Sequence, residues 1–167
     1  MGEILEHIMA RRSIRKFTPE PVPAEMVTAL LQAAMAAPSA SNRKPWEFLV
    51  VTDPDLLRGL RQRLVFGRYE APLAIVVCGN LRRAWPGPPR DFWIQDCSAA
   101  TQNILLTAAG RGLGAVWVGV HPIAPFVRAV SGLLGLPKHV IPLGVVYVGW
   151  PEQHKPPRTQ YDPARVH

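Results

Sequence analysis

The stretch that most limits how this chain can fold is 92–111. Ile94, Cys97, Thr101, Ile104, Leu105 and Ala108 recur there at helical spacing, and Gly110 and Gly112 supply the stop. The spacing predicts a helix over 92–111, the longest in the chain. Its second half is almost free of charge, so it needs neighbours around most of its circumference and must be the central, buried element. A chain of 167 residues can build one core of that kind and is too short for two conventional domains. The expected organisation is one domain over 1–167.

The remaining elements fall around that helix. Ile4, Leu5, Ile8 and Met9 share one face of a short N-terminal amphipathic helix. Pro19, Pro21 and Pro23 impose an extended link, after which Met26, Val27, Leu30, Leu31 and Ala34 define a helix over 24–37 that Pro38 stops. A strand is predicted over 47–52, followed by Asp53-Pro54 as the cap and first position of a helix running to about Leu64. Further strands are predicted over 72–78, 114–120 and 141–148, with a helix over 123–134. The first of these is almost continuously apolar, which implies burial on both faces. Residues 79–91, with Pro86, Pro88 and Pro89, read as a loop. Two helices precede any strand, and no Gly-x-Gly-x-x-Gly follows one. The pattern is that of an α+β sheet covered by helices, not of a Rossmann unit.

The chemistry concentrates in Arg11-Arg12-Ser13-Ile14-Arg15-Lys16-Phe17. Guanidinium forks match phosphate oxygens bidentately, and the Ser13 hydroxyl can donate to the same group. A solvated basic helix end would account for a lone Arg-Arg pair. Here Ser13 and Ile14 interrupt the charge run, and a second signal follows about one helix later: Ala37-Pro38-Ser39-Ala40-Ser41-Asn42-Arg43-Lys44-Pro45-Trp46.

This ordered pair resembles the nitroreductase superfamily of FMN-dependent oxidoreductases, where an Arg-Arg-Ser-x-Arg-x-Phe run precedes Pro-Ser-x-x-Asn-x-Gln-Pro-Trp. Gly110-Arg111-Gly112-Leu113-Gly114-Ala115-Val116-Trp117-Val118-Gly119 resembles a third block of the family, and the segment from Gly149 to Arg158 its closing strand and basic tail. The likeness spans nearly the whole chain and is weakest over 79–91. It implies an α+β fold with a mixed sheet flanked by helices. It also implies an intertwined homodimer with the long helix at the interface, each chain contributing to both flavin sites, and a tail over 150–167 extending across the partner.

By the same resemblance, Arg11, Arg12 and Ser13 hold the FMN phosphate, Arg15 reaches the pyrimidine edge of the ring, and Arg158 and Lys155 return to the phosphate. Pro38, Ser39, Ala40 and Asn42 line the ring from the partner subunit, and Lys44 stands where the family usually has Gln. The Gly119 backbone sits opposite flavin N5, with Trp117 and Val118 flanking. Trp46 is assigned to core packing, while Phe92, Trp93 and Trp85 are candidate walls of an acceptor pocket. The implied reaction passes a hydride from NAD(P)H to flavin N5. A nitroaromatic, quinone or similar small acceptor then takes the electrons in the same space, a ping-pong scheme with no catalytic side chain beyond the flavin. Dehalogenation and flavin fragmentation are alternatives within the fold.

A net charge of +7 opens a reading from another class, a basic nucleic-acid-binding domain using Arg11 to Lys16 with Arg82, Arg83 and Arg90. No reader motif accompanies those residues. The five histidines are dispersed and Cys78 and Cys97 lack metal-type spacing, so no metal site is expected and both cysteines are read as buried free thiols. No run is long enough to span a bilayer and the first residues lack a secretion pattern, which sets the expectation of a cytoplasmic protein without membrane contact.

Overall fold

One antiparallel sheet in the order β1-β2-β4-β3 forms the frame, from β1 (Trp46–Val51), β2 (Leu73–Asn80), β3 (Gly114–Gly119) and β4 (Val140–Gly149). The computed structural model describes residues 2–167. Five helices accompany the sheet: α1 (Glu3–Ala10), α2 (Ala24–Met35), α3 (Pro54–Arg63), α4 (Phe92–Gly110) and α5 (Ala124–Leu134).

The expected mixed sheet is corrected. All strand pairs are antiparallel, and the parallel pairing present among the described residues is a single bridge between Ser13 and Ala115. The reason lies in the connections. Val51 at the end of β1 pairs with Ala74 at the start of β2, so the α3 excursion leaves and re-enters at the same end of the sheet. The α5 excursion does likewise, since Gly119 pairs with Gly144 near the start of β4.

Alternation along the strands divides the core in two. Ile75, Val77, Val146 and Val148 face α4 and α2, while Ala74, Val76, Val145 and Tyr147 face α3 and α5. Every residue of β2 is buried, as its continuous apolar run predicts. Helix α4 buries Trp93, Cys97, Ala100, Ile104 and Ala108 against this frame and is the central helix the stripe calls for. Asp53 caps α3, accepting from Asp55 N at 3.0 Å and Leu56 N at 2.8 Å. A cap of this kind contributes about 1 kcal/mol.

Two boundaries depart from expectation. Strand β2 runs past Cys78 because Gly79 and Asn80 still pair with Ile141 and Val140, and because Asn80 N donates to Pro45 O at 2.7 Å. Pro142, which could not donate within a central ladder, sits opposite Cys78 at a register shift and beyond the end of β3. The last part of the loop is a 3-10 turn over Pro88–Asp91. Helix α1 forms, yet none of its residues is buried, and Ile4, Leu5 and Ile8 are 77%, 46% and 45% exposed. Met9 on the same face is half-buried and the His7 ring meets Leu106 O on α4, so Ile4, Leu5 and Ile8 are the part of the apolar face left exposed among the described residues.

Candidate functional site

Residues 11–17 leave α1 in extended form and are stitched to the sheet. Ile14 N donates to Ala115 O at 3.0 Å and Thr18 N to Trp150 O at 2.9 Å, while Phe17 bridges Pro151. The segment after β4 then doubles back over this strip. Lys155 Nζ donates to Ser13 O at 2.8 Å, Arg12 Nη1 to Pro156 O, and Arg158 N to Met9 O at 3.2 Å. Gln153 accepts from Lys16 N at 3.1 Å and from Arg15 N through its side-chain oxygen.

These bonds force Arg11, Arg12, Arg15, Lys155 and Arg158 together. Burial, and then Arg12 and Arg158, hold the Arg11 guanidinium below its ordinary value. Lys155 is lowered by loss of solvation, and then by Arg15, Arg12 and Arg158. No carboxylate among the described residues forms an ion pair with any member of the group. Such a cluster opposes folding through like-charge repulsion unless an anion joins it. Ser13 lends its backbone carbonyl to Lys155. Arg15 is exposed and donates from Nε to Tyr69 Oη at 3.2 Å, which fixes its direction.

The second segment is a compact turn after α2. Ser41, Asn42 and Lys44 hold φ of 47°, 54° and 50°, a left-handed region that costs a non-glycine residue of order 1 kcal/mol or more. Two of the side chains that hold the turn accept backbone N–H bonds. Ser39 Oγ accepts from Lys44 N at 3.0 Å, and Asp96 Oδ1, on α4, accepts from Ala40 N at 2.9 Å. Asp96 is 5% exposed, and burial raises its pKa while the Ala40 N–H pulls it back down. Pro38, Asn42 and Lys44 are exposed and Ser39 and Ala40 half-buried, so the turn presents a polar surface.

The third element is edge strand β3. Trp117 lies across Gly144, whose Cβ would collide with Trp117 Nε1. Gly119 shares that face, is exposed, and has open space where a Cβ would stand. Val118 points the other way, into the α3–α5 core against Gly67. Trp46 is core, as assigned. Trp93 is 3% exposed and wedged over Gly79, so it is packing more than pocket wall; Phe92 is exposed and Trp85 half-buried.

The structure therefore brings Arg11, Arg12, Ser13, Arg15, Lys155 and Arg158 into one group, and Pro38, Ser39, Ala40, Asn42 and Lys44 into another, but does not join the two. Ser13 and Phe17 bridge Ala115 and Pro151 at the Gly149 end of β4. The turn feeds Trp46, level with Gly79 and Ile141 near the other end. Roughly 25 Å of strand separates those levels. The chemistry of the first group fits a phosphate monoester. The open face of Gly119 beside Trp117 fits a flat ring laid against backbone.

Sequence reasoning missed Asp96, Tyr69 and Gln153. Asp96 carried a signal in being an acid within an otherwise apolar helical stripe. Among the described residues no group of three His, Cys, Asp or Glu stands close enough to hold a metal, and no helix is long and apolar enough to cross a membrane.

The fold is a helix-covered antiparallel sheet with a strip of cations bound along the edge strand β3. The pattern of the Nitroreductase family matches residues 8–65 and 64–150, so this chain belongs to that family. A Methanothermobacter thermautotrophicus protein, whose name proposes NADH dehydrogenase/NAD(P)H nitroreductase activity, is 43% identical over 169 residues, covering 99% of this chain and 86% of its own. Rat iodotyrosine deiodinase 1 is 43% identical over 182 residues, covering 90% of this chain and 63% of its own. Among solved structures, the FMN-dependent nitroreductase of Clostridium difficile R20291 superposes with a TM-score of 0.89 at 29% identity, covering 98% of this chain and 97% of its own.

Proposed function

We propose that this chain is an FMN-dependent enzyme, active as a homodimer, that transfers electrons from NAD(P)H to a nitroaromatic, quinone or similar small acceptor in a ping-pong cycle. NAD(P)H-dependent oxidoreduction follows from its family. The observation that carries the finer reading is the cation group at Arg11, Arg12, Arg15, Lys155 and Arg158, which has no carboxylate partner among the described residues.

FMN, when bound, supplies the two-electron exchange between donor and acceptor. Arg11, Arg12, Lys155 and Arg158 would hold its phosphate, with Ser13 closing the cradle. Arg15, aimed by Tyr69, would place positive charge at the pyrimidine edge, where reduction adds negative charge. Gly119 offers a backbone face with no side chain in the way, and Trp117 borders it. Residues 38–44 feed β1, at the opposite edge of the sheet from β3, so a second copy would provide them to the site beside β3. The exposed Ile4, Leu5 and Ile8 of α1 support that pairing, and the exposed residues 159–167 would extend over the partner. Donor and acceptor would use one open face in turn, which is the basis of the ping-pong order.

The deciding experiment is the visible absorbance spectrum of the purified protein, with anaerobic NADH and then NADPH added. Flavin bands that bleach with a donor and return with a quinone are expected. A colourless protein that takes up no added FMN would sink the reading. Likeness to the deiodinase supports reductive dehalogenation as a second reading, and halide release from a halogenated phenol by the reduced protein distinguishes it.

A further inference from the structure

Beside the turn at 39–44 lies a concavity of about 390 Å³ lined by Ser41, Asn42, Arg43, Arg82 and Arg83, with no carboxylate in its wall. We propose that it is an anion subsite for the ribose 2′-phosphate of the nicotinamide donor, making the enzyme selective for NADPH over NADH. The proposal rests on the flavin reading of the adjacent turn.

The site is built by bonds, not by chance proximity of exposed arginines. Asn80, 8% exposed, organises the loop after β2: its Oδ1 accepts from Arg82 N at 3.0 Å, and its carbonyl accepts from Arg83 N and Ala84 N, each at 3.0 Å. Its amide donates to Glu47, which engages that carboxylate away from the arginines. Arg43 then joins loop to turn. Its Nε donates to Arg83 O at 3.0 Å and its Nη2 to Ala84 O at 3.3 Å, so the guanidinium is held with part of its donor edge still free. Arg82 and Arg83 are exposed, and neither forms an ion pair among the described residues.

A guanidinium fixed by two carbonyls and flanked by two more is shaped for a dianion with several acceptor oxygens. A phosphate monoester carries about −1.5 to −2 charges at pH 7. NADPH and NADH differ in that one group. The Ser41-Asn42 wall belongs to the same turn whose Pro38, Ser39, Ala40 and Asn42 are assigned to the ring, so Asn42 stands between the two. A donor nicotinamide laid on the ring would thus have its adenosine ribose within reach of this corner. The sequence offers Arg82 and Arg83 to nucleic acid, yet here they line one shallow concavity together with Arg43.

The test uses the flavin-loaded protein and its R82S/R83S variant. Steady-state kcat/KM is measured for NADPH and NADH, and thermal shift is measured with adenosine 2′-monophosphate against the 5′ isomer. The expected results are an NADPH preference that falls about tenfold or more in the variant, and a rise in melting temperature with the 2′ isomer that the variant loses. Flavin content should be the same in both. A wild type that treats the two donors alike, a preference that survives R82S/R83S, or equal shifts with both isomers would each overturn the site. So would a variant whose main loss is a salt-sensitive DNA gel shift, which would assign the arginines to nucleic acid. A colourless wild type overturns the flavin reading instead, and this subsite with it, so the two failures are told apart.

Discussion

Asp96, near the start of the central helix, accepts a hydrogen bond from Ala40 N at 2.9 Å and thereby ties the left-handed turn at 39–44 to the core. The carboxylate is buried and its pKa is raised by that burial, so the fold tolerates an awkward charge to hold this backbone in place. Turn residues at positive φ persist only where surrounding contacts over-determine them. Asp96 and Ser39 do so, together with the Arg43 bonds to Arg83 O and Ala84 O.

Replacing Asp96 by Ala leaves the Ala40 N–H without its partner and is expected to cost about 1–3 kcal/mol. Asp96→Asn keeps an acceptor oxygen at the same place and is expected to lose less than half of that. Urea melts of the two variants check the order. A Asn variant as unstable as the Ala variant would mean that the charge, not the hydrogen bond, is what the turn needs. If residues 39–44 meet the flavin ring, Asp96→Ala also shifts the visible flavin spectrum, while Asp96→Asn restores it.

Substitution at Gly119 would separate stability from ligand binding at the proposed site. No atom lies within 4 Å of where its Cβ would stand, and its backbone is not left-handed, so Gly119→Val should fold as well as the parent. β-Branched residues suit an edge strand. A side chain there would nevertheless occupy the face assigned to the ring. The expected outcome is an unchanged melting temperature for the flavin-free protein, with FMN affinity weakened at least about tenfold, a loss of about 1.4 kcal/mol. Unchanged affinity by fluorescence titration would move the ring elsewhere.

Arg15 and Arg158 make opposite predictions. Arg158 closes the cation group from the tail, with its backbone N–H on Met9 O, whereas Arg15, at the exposed side of the same group, bonds Tyr69 Oη. Arg158→Ala is expected to lose FMN on gel filtration while the remaining loaded fraction is reduced normally. Arg15→Ala should retain FMN and slow its reduction by NAD(P)H about tenfold or more. Equal loss of both properties in both variants would erase the division of roles.

Local chemistry explains which parts are legible in the sequence. Asp53-Pro54 announced α3 because a cap and a first-turn proline act within a few residues. The apolar run of β2 announced a doubly buried strand, and the stripe in 92–111 a central helix. The all-antiparallel sheet was not legible, since its direction depends on where α3 and α5 return the chain. The strip at 11–17 read as a basic anion site from its own residues. Its union with Lys155 and Arg158 rested on resemblance, because those partners are more than a hundred positions away. Asp96 and the Arg43 clamp on Arg83 and Ala84 escaped altogether, being defined by tertiary contacts between segments that carry no shared pattern.

Tyr147 gives a pH prediction independent of any ligand. Its ring packs edge-on against Tyr69 at 6.0 Å in the α3–α5 core, and its hydroxyl is buried without a hydrogen-bond partner among the described residues. Burial raises its pKa from 10.0 to about 12, with Arg61 opposing and Tyr69 adding to the rise. An acid that keeps its proton in the folded state but releases it at an ordinary value when unfolded favours folding below the unfolded value. That contribution disappears as pH climbs through the folded value. Stability contributed by Tyr147 should therefore be intact below pH 10 and decline toward about 12. Tyr147→Phe removes both the ionisation and the unpaired hydroxyl, so it should gain about 1 kcal/mol at neutral pH and flatten the alkaline decline. Chemical denaturation at stepped pH reads both effects, and a Phe variant less stable than the parent at neutral pH would reveal a hydroxyl partner, such as an internal water.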